Sequence, residues 1–200
     1  MFHYQELELY SHPHVYNPAE DTYLLLEALT VSPTDVILEI GTGCGIIALA
    51  LCRHCHSVVC TDINPVAVEL TKKNIRVNSG KIPQTIEVRN GDLFTPLVST
   101  EQFSKIIFNP PYLPTDPADH IDQWTELATS GGSDGLQTIE AFLRHAPSYL
   151  TADGQIFFVF SSLSKRTKLH HILGQISFHH KIVKSISFGD ETLDVYCAYP

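Results

Sequence analysis

From residue 36 onward the chain alternates short apolar runs with stretches of helical pattern, and this order restricts the folds open to it. Residues 36–40, 58–61, 85–89, 104–108 and 155–160 read as strands, and 45–52, 65–78, 136–149 and 165–175 read as helices. Strands separated by helices call for a mostly parallel sheet with helices on both faces. The end of the chain differs: 182–188 and 192–199 are β-rich runs joined by Gly189-Asp190-Glu191, the pattern of an antiparallel hairpin. The expected architecture is therefore α/β, a doubly wound, mostly parallel sheet closed by a C-terminal antiparallel hairpin. Two hundred residues are enough for one domain with a sizeable core. We expect a single domain over 1–200, with 1–30 forming an N-terminal arm and helix and 31–200 the core.

In such a sheet, ligands bind at the carboxyl ends of the strands, so the residues there carry the functional information. Glu39-Ile40-Gly41-Thr42-Gly43-Cys44-Gly45 follows the first strand and opens a helix. Gly41, Gly43 and Gly45 allow a tight turn and close backbone approach to a ligand. The spacing departs from the dinucleotide pattern, because Ile46 and Ile47 stand where a later glycine would be. A carboxylate at Glu39 would repel a pyrophosphate but suits a ligand with a cationic end. Asp62, at the end of the second strand, can accept from both hydroxyls of a ribose; alternatively Asp62 or Asn64 caps the helix that starts at Pro65. Asp92, in Asn90-Gly91-Asp92-Leu93-Phe94 after the third strand, can accept from an exocyclic amine, beside apolar surface from Leu93. Taken alone, that segment is a plain turn.

The fourth strand ends abruptly. After Lys105-Ile106-Ile107 comes Phe108-Asn109-Pro110-Pro111-Tyr112. Prolines cannot continue a central strand, so the side-chain amide of Asn109 sits at the carboxyl edge. The opening segment to Pro18 is broken by His12-Pro13-His14 and reads as an arm laid over the domain. Asn17-Pro18-Ala19-Glu20-Asp21-Thr22 then starts a helix, with acids in its first turn.

Three strand ends bearing Glu39, Asp62 and Asp92 around a glycine turn resemble the S-adenosylmethionine-dependent methyltransferase superfamily, whose Rossmann-like class I sheet is seven-stranded. The addition of Asn109-Pro110-Pro111-Tyr112 resembles its amino-methylating branch. There the resemblance implies that the Asn109 oxygen and the Pro110 carbonyl hold a target NH2 group, with Pro111 and Tyr112 against the target. Val15-Tyr16-Asn17-Pro18-Ala19-Glu20-Asp21-Thr22 is similar to a segment of HemK-related protein-(glutamine-N5) methyltransferases of the short eukaryotic and archaeal type, as is Asp190-Glu191-Thr192-Leu193-Asp194-Val195. Ser130-Gly131-Gly132-Ser133-Asp134-Gly135-Leu136 matches the family's glycine-rich segment. Thr129 stands where short-type members usually carry Trp, and the single Trp is Trp124. The resemblance implies a cofactor, S-adenosyl-L-methionine, held by Tyr16, Thr22, Glu39, Gly41, Gly43, Gly45, Asp62, Asp92, Leu93 and Asn109. Asn109, Pro110 and Tyr112 would serve catalysis. The implied substrate is the Gly-Gly-Gln loop of a class I translation release factor, and the implied partner a small zinc-binding activator subunit docked on strand 85–89.

Composition separates the competing readings. Thirteen Lys and Arg against 22 Asp and Glu give a net charge of −9, which argues against stable nucleic-acid binding. That disfavours N6-adenine methylation of DNA or RNA, which shares the Asn-Pro-Pro-Tyr logic and calls for a basic groove or a recognition domain. Lysine methylation remains an alternative, and a cofactor-binding scaffold without turnover would be expected to lose the Asn-Pro-Pro-Tyr or glycine residues. Five cysteines without an export signal read as free thiols of a cytoplasmic protein. No apolar run reaches the roughly 18 residues of a membrane span. Cys52-Arg53-His54-Cys55-His56 lacks a second ligand pair, and no metal site is expected.

Overall fold

The computed structural model describes residues 1–83, 86–114, 124 and 128–200. Among these, seven strands form one sheet: β3 (Val36–Ile40), β4 (Ser57–Asp62), β5 (Ile86–Asn90), β6 (Phe103–Phe108), β7 (Leu150–Ser161), β8 (His179–Phe188) and β9 (Glu191–Tyr199). Their order is β5-β4-β3-β6-β7-β9-β8. The first five run parallel, and β9 is inserted antiparallel between β7 and β8. Gly189, with φ of 56°, supplies the left-handed residue of the β8–β9 turn.

Period-two alternation along the central strands divides the core in two. Ile37, Ile107, Phe157 and Val159 face α1 (Glu20–Ala28), α2 (Ile46–Leu51) and α3 (Pro65–Val77). Leu38, Ile40, Ile106, Phe108, Phe158 and Phe160 face α4 (Gln137–His145) and α5 (Arg166–Gln175). Both faces of β3 and β6 are thus buried, which explains their nearly continuous apolar character. Phe142 meets Phe108 at a tilt and Phe158 edge-on on the second face, and full burial of each ring contributes about 2–3 kcal/mol.

Sheet order reverses at β3: β4 and β5 extend to one side, β6 and β7 to the other. This switch point opens a crevice at the carboxyl ends of β3 and β6. The expected mostly parallel sheet, the C-terminal hairpin and every helix read from the sequence are present. The larger differences of boundary are at the N-terminus and in β7, while β8 also begins three residues early, at His179. The segment expected to be an irregular arm begins with a small hairpin, β1 (Phe2–Tyr4) and β2 (Leu7–Leu9). Its turn uses Gln5 at φ 52° rather than a glycine, so the usual turn signal was missing. The strand expected at 155–160 begins earlier, at Leu150. Strand β5 lies at a sheet edge as expected, although Thr85 lies outside the described residues.

Candidate active site

A cleft of about 670 Å³ lies over the switch point. Its floor is the glycine turn. Gly41 and Gly43 adopt φ of 67° and 58°, and both line the cleft. A Cβ on Gly41 would stand 3.2 Å from Phe108 Cε2. Gly45 behaves differently: it caps α2 at φ 83°, and a Cβ there would come within 2.8 Å of Thr71 Cγ2. Its glycine serves the approach of α3, and it is not among the cleft-lining residues. Thr71 Oγ1 donates to the Gly43 carbonyl at 2.9 Å, and Asn74 Nδ2 to the Cys44 carbonyl at 2.8 Å. Helix α3 therefore holds the turn from behind.

Two buried carboxyls line this floor. Glu39 is 2% exposed and accepts from Thr42 Oγ1 and the Ala48 N–H through Oε2, at 2.9 and 3.1 Å. Burial pushes its pKa up to about 8 against those two hydrogen bonds, with the nearby Asp62 adding repulsion. Asp62 accepts from the Gly43 N–H through Oδ2 and from the Asn64 N–H through Oδ1, both at 2.9 Å. Its pKa is also raised, chiefly by burial. The capping alternative resolves onto Asn64, whose Oδ1 accepts from the Val66 N–H at the start of α3. Asp62 instead ties the glycine turn to the end of β4. Asp92 stands exposed in the lining, and Leu93 beside it sits at φ 45°. That left-handed conformation is unfavourable for a leucine, and such strain concentrates at functional sites.

The opposite wall joins α1 to the end of β6. Pro110 and Pro111 are buried, and Asn109, Pro110, Pro111 and Tyr112 all line the cleft. Asn109 Nδ2 donates to Asp21 Oδ2 at 3.1 Å and, more weakly, to Thr22 Oγ1 at 3.4 Å. Tyr112 donates its hydroxyl to the same Asp21 oxygen at 3.3 Å, and Tyr16 donates across both Asp21 oxygens at 3.2 Å. Burial, with Asp21 next, pushes both phenols well above the usual tyrosine range. Asn109 Oδ1 is left over: among the described residues it is the buried side-chain polar atom with no hydrogen-bond partner. Such an atom costs about 1–3 kcal/mol unless a ligand satisfies it.

Beyond Tyr112 the loop is stitched to the glycine-rich segment. Leu113 donates to the Thr129 carbonyl and accepts from the Gly131 N–H, at 3.0 and 2.9 Å. Ser164 Oγ donates to the Tyr112 carbonyl at 2.8 Å. A Cβ on Gly135 would meet that same carbonyl at 2.5 Å, so only glycine fits there. The glycines of 130–136 thus support the wall that carries Asn109 and Tyr112. Trp124 and Thr129 also line the cleft.

Every expected site residue except Gly45 lines one cleft, in a chain where they are up to 96 positions apart (from Tyr16 to Tyr112). Two kinds of residue escaped the sequence reading. Asp21 shares a helix face with Leu24 and Leu25, and an acid on an apolar stripe was the available signal. Asn74 interrupts the buried stripe of α3 in the same way, and Asn78, buried too, caps the end of that helix. Asn78 pairs with the backbone N–H and carbonyl of Glu8, and Asn74 with those of Tyr10. These two amides act as a surrogate strand that docks the arm. The Cys52–His56 cluster holds no group of three potential ligands among the described residues.

Sheet order, glycine turn and strand-end acids together define a class I methyltransferase. The family described as "Methyltransferase small domain" matches residues 6–185, and this chain belongs to it. It is similar to the "Putative protein N5-glutamine methyltransferase MJ0928" of Methanocaldococcus jannaschii, 36% identical over 194 residues that span 96% of this chain and 95% of the relative. It is 34% identical over 168 residues to the "Release factor glutamine methyltransferase" of Thermosynechococcus vestitus, covering 78% of this chain but 57% of that longer protein. Among solved structures, the E. cuniculi Mtq2-Trm112 complex, described as responsible for methylation of the eRF1 translation termination factor, shares the fold. Its TM-score is 0.69 at 24% identity, covering 93% of this chain and 98% of that one. The resemblance to short-type HemK-related proteins is thereby borne out at the family level.

Proposed function

We propose that the protein transfers a methyl group from S-adenosyl-L-methionine to the side-chain amide nitrogen of a glutamine, in the Gly-Gly-Gln loop of a class I translation release factor. The observation that carries this reading is the unpartnered, buried Oδ1 of Asn109 in a cleft wall that also contains Pro110. An amide nitrogen is a poor nucleophile because its lone pair is delocalised. Two acceptors on its hydrogens, Asn109 Oδ1 and the Pro110 carbonyl, would turn the lone pair toward the methyl group and partly localise it. Transfer would form the N–C bond as the S–C bond of the sulfonium breaks, its electron pair leaving on a neutral thioether. The methylated nitrogen would then lose a proton to solvent.

The residues on the other wall fit the cofactor. The glycine turn at Gly41 and Gly43 admits close backbone approach, Asp62 would accept from a ribose diol, and Asp92 with Leu93 would take an adenine. Glu39, Tyr16 and Thr22 would hold the methionine end, where the raised pKa of Glu39 favours a cationic ligand as the neutralising partner. Bound there, the cofactor supplies an electrophilic methyl group on a sulfonium. The names of the two relatives at 36% and 34% identity support glutamine as target and a release factor as substrate. The net charge of −9 favours a protein substrate over a nucleic acid. We further propose that a small activator subunit pairs with the open edge of β5.

Incubation with isotopically labelled cofactor, followed by mass spectrometry, tests the assignment. A release factor, a lysine-bearing peptide and adenine-containing DNA would be offered in parallel. Label on a glutamine amide is expected; label confined to lysine or to adenine would overturn it.

A further inference from the structure

We infer that Asp21 decides which end of the Asn109 side chain faces the target, and that it is therefore a positioning residue for methyl transfer. This deepens the glutamine reading above and rests on it for the identity of the target, but not for the orientation of the amide.

An asparagine amide can rotate by half a turn at almost no steric cost, exchanging its acceptor for its donor. In the first state it offers an oxygen to the cleft and can receive an incoming NH2 group. In the second it offers its own NH2 and repels one. The surroundings must choose. Asp21 is 4% exposed, and a carboxylate only accepts, so the neighbour of its Oδ2 has to be Asn109 Nδ2, at 3.1 Å. Thr22 and Tyr112 do not decide the matter, because a hydroxyl can donate or accept. The remaining Asp21 contacts are donors: the Thr22 N–H at 2.6 Å and Thr22 Oγ1 at 3.1 Å on Oδ1, Tyr112 on Oδ2, and Tyr16 across both. With Nδ2 committed, Asn109 Oδ1 is the end left without a partner.

The same geometry makes a sharp substitution available. The Thr22 backbone N–H cannot reverse its role, so after Asp21→Asn the new side-chain oxygen must stay opposite it. The new NH2 then occupies the place of Oδ2, facing Asn109 Nδ2. Two NH2 groups cannot bond to each other, and Asn109 is forced to turn, presenting its donor to the cleft. Adding Asn109→Asp repairs the arrangement: one carboxylate oxygen accepts from the new amide, and the other is again an acceptor toward the target.

Three proteins are compared: the unaltered enzyme, Asp21→Asn, and Asp21→Asn with Asn109→Asp. Turnover is read with a release-factor fragment bearing the Gly-Gly-Gln loop, and cofactor affinity by calorimetry. Asp21→Asn should lower kcat by about 100-fold, the scale of one misplaced transition-state hydrogen bond, with cofactor affinity within about threefold. The double variant should recover about tenfold. Wild-type-like kcat in Asp21→Asn, or a double variant no faster than the single one while cofactor still binds, would overturn the inference. A purely structural role for Asp21 would lower cofactor affinity and thermal stability together and show no recovery, which also overturns it. Hydrogen exchange of the Asn109 side-chain amide reads the orientation without substrate. Protection in the unaltered protein and its loss in Asp21→Asn are expected; equal exchange in both contradicts the inference. An unaltered enzyme that leaves the fragment unmethylated would refute the glutamine reading instead, and the exchange result would stand.

Discussion

At the scale of single residues, the site is governed by polar groups buried before any ligand arrives. Glu39 is the clearest case. Its folded-state pKa of about 8 exceeds its ordinary value of 4.5, so between those values the native state holds a proton that the unfolded chain has lost. The Glu39 contribution to the stability of the empty protein should therefore fall as pH rises from about 5 to about 8 and change little above that. Asp62, raised in the same sense, adds to the acidic part of this slope. Uptake of a cationic cofactor favours the ionised form of Glu39, so binding at pH 7 should release about one proton. Calorimetry in buffers of different ionisation enthalpy measures it, and Glu39→Gln should abolish the release while weakening binding. Buffer-independent heats would contradict this role. Gly45 offers a second check. Its φ of 83° and the 2.8 Å approach of a Cβ to Thr71 give Gly45→Ala a cost of about 2–4 kcal/mol in urea unfolding, from left-handed strain plus overpacking. A change under about 0.5 kcal/mol would show that α3 yields freely.

At the scale of elements, helix α3 does more than cover the sheet. Through Thr71, Asn74 and Asn78 it holds the glycine turn on one side and the arm on the other. Asn64, its cap, donates to the His14 carbonyl at 2.7 Å and extends this hold toward Tyr16. Asn74→Ala leaves the Tyr10 N–H and carbonyl and the Cys44 carbonyl without their partner. It should expose the arm to protease within the first 18 residues, through two lost hydrogen bonds, and weaken cofactor binding about fivefold, in line with one lost hydrogen bond to the glycine turn at about 1 kcal/mol. Limited proteolysis and calorimetry read both; unchanged cleavage would mean that the β1–β2 hairpin is anchored by its apolar contacts alone. These tethers explain what the sequence did and did not reveal. Strands β3, β6 and β7 announce themselves by apolar runs, and the prolines after Asn109 mark a strand end by what they cannot do. The surrogate strand formed by Asn74 and Asn78 has no such local mark, because each pairs with backbone more than 60 residues away. Gly45 carries a further demand that the motif does not announce: it stands with Gly41 and Gly43, but the close approach of Thr71 from α3 also requires a glycine there.

At the scale of the whole molecule, a wall built from β3, β4 and the loop after β5, which we propose holds the cofactor, faces a wall built from β6, which we propose holds the target, and the arm spans the two. Asp21 bridges arm and target wall; Asp62 bridges the ends of β4 and the glycine turn. The open edge of β5 lies on the cofactor side, so a subunit pairing there would stabilise that wall without covering the target wall. Coexpression should accordingly raise soluble yield and turnover. A monodisperse, fully active monomer on its own would count against the partner. The division into two walls is tested most directly by measuring cofactor affinity and turnover on one preparation of Asn109→Ala. Turnover lowered by about 100-fold or more, with cofactor affinity close to that of the unaltered protein, is the expected result. Parallel loss of cofactor binding would place Asn109 in the cofactor wall and contradict the assignment of Asn109-Pro110-Pro111-Tyr112 to the target.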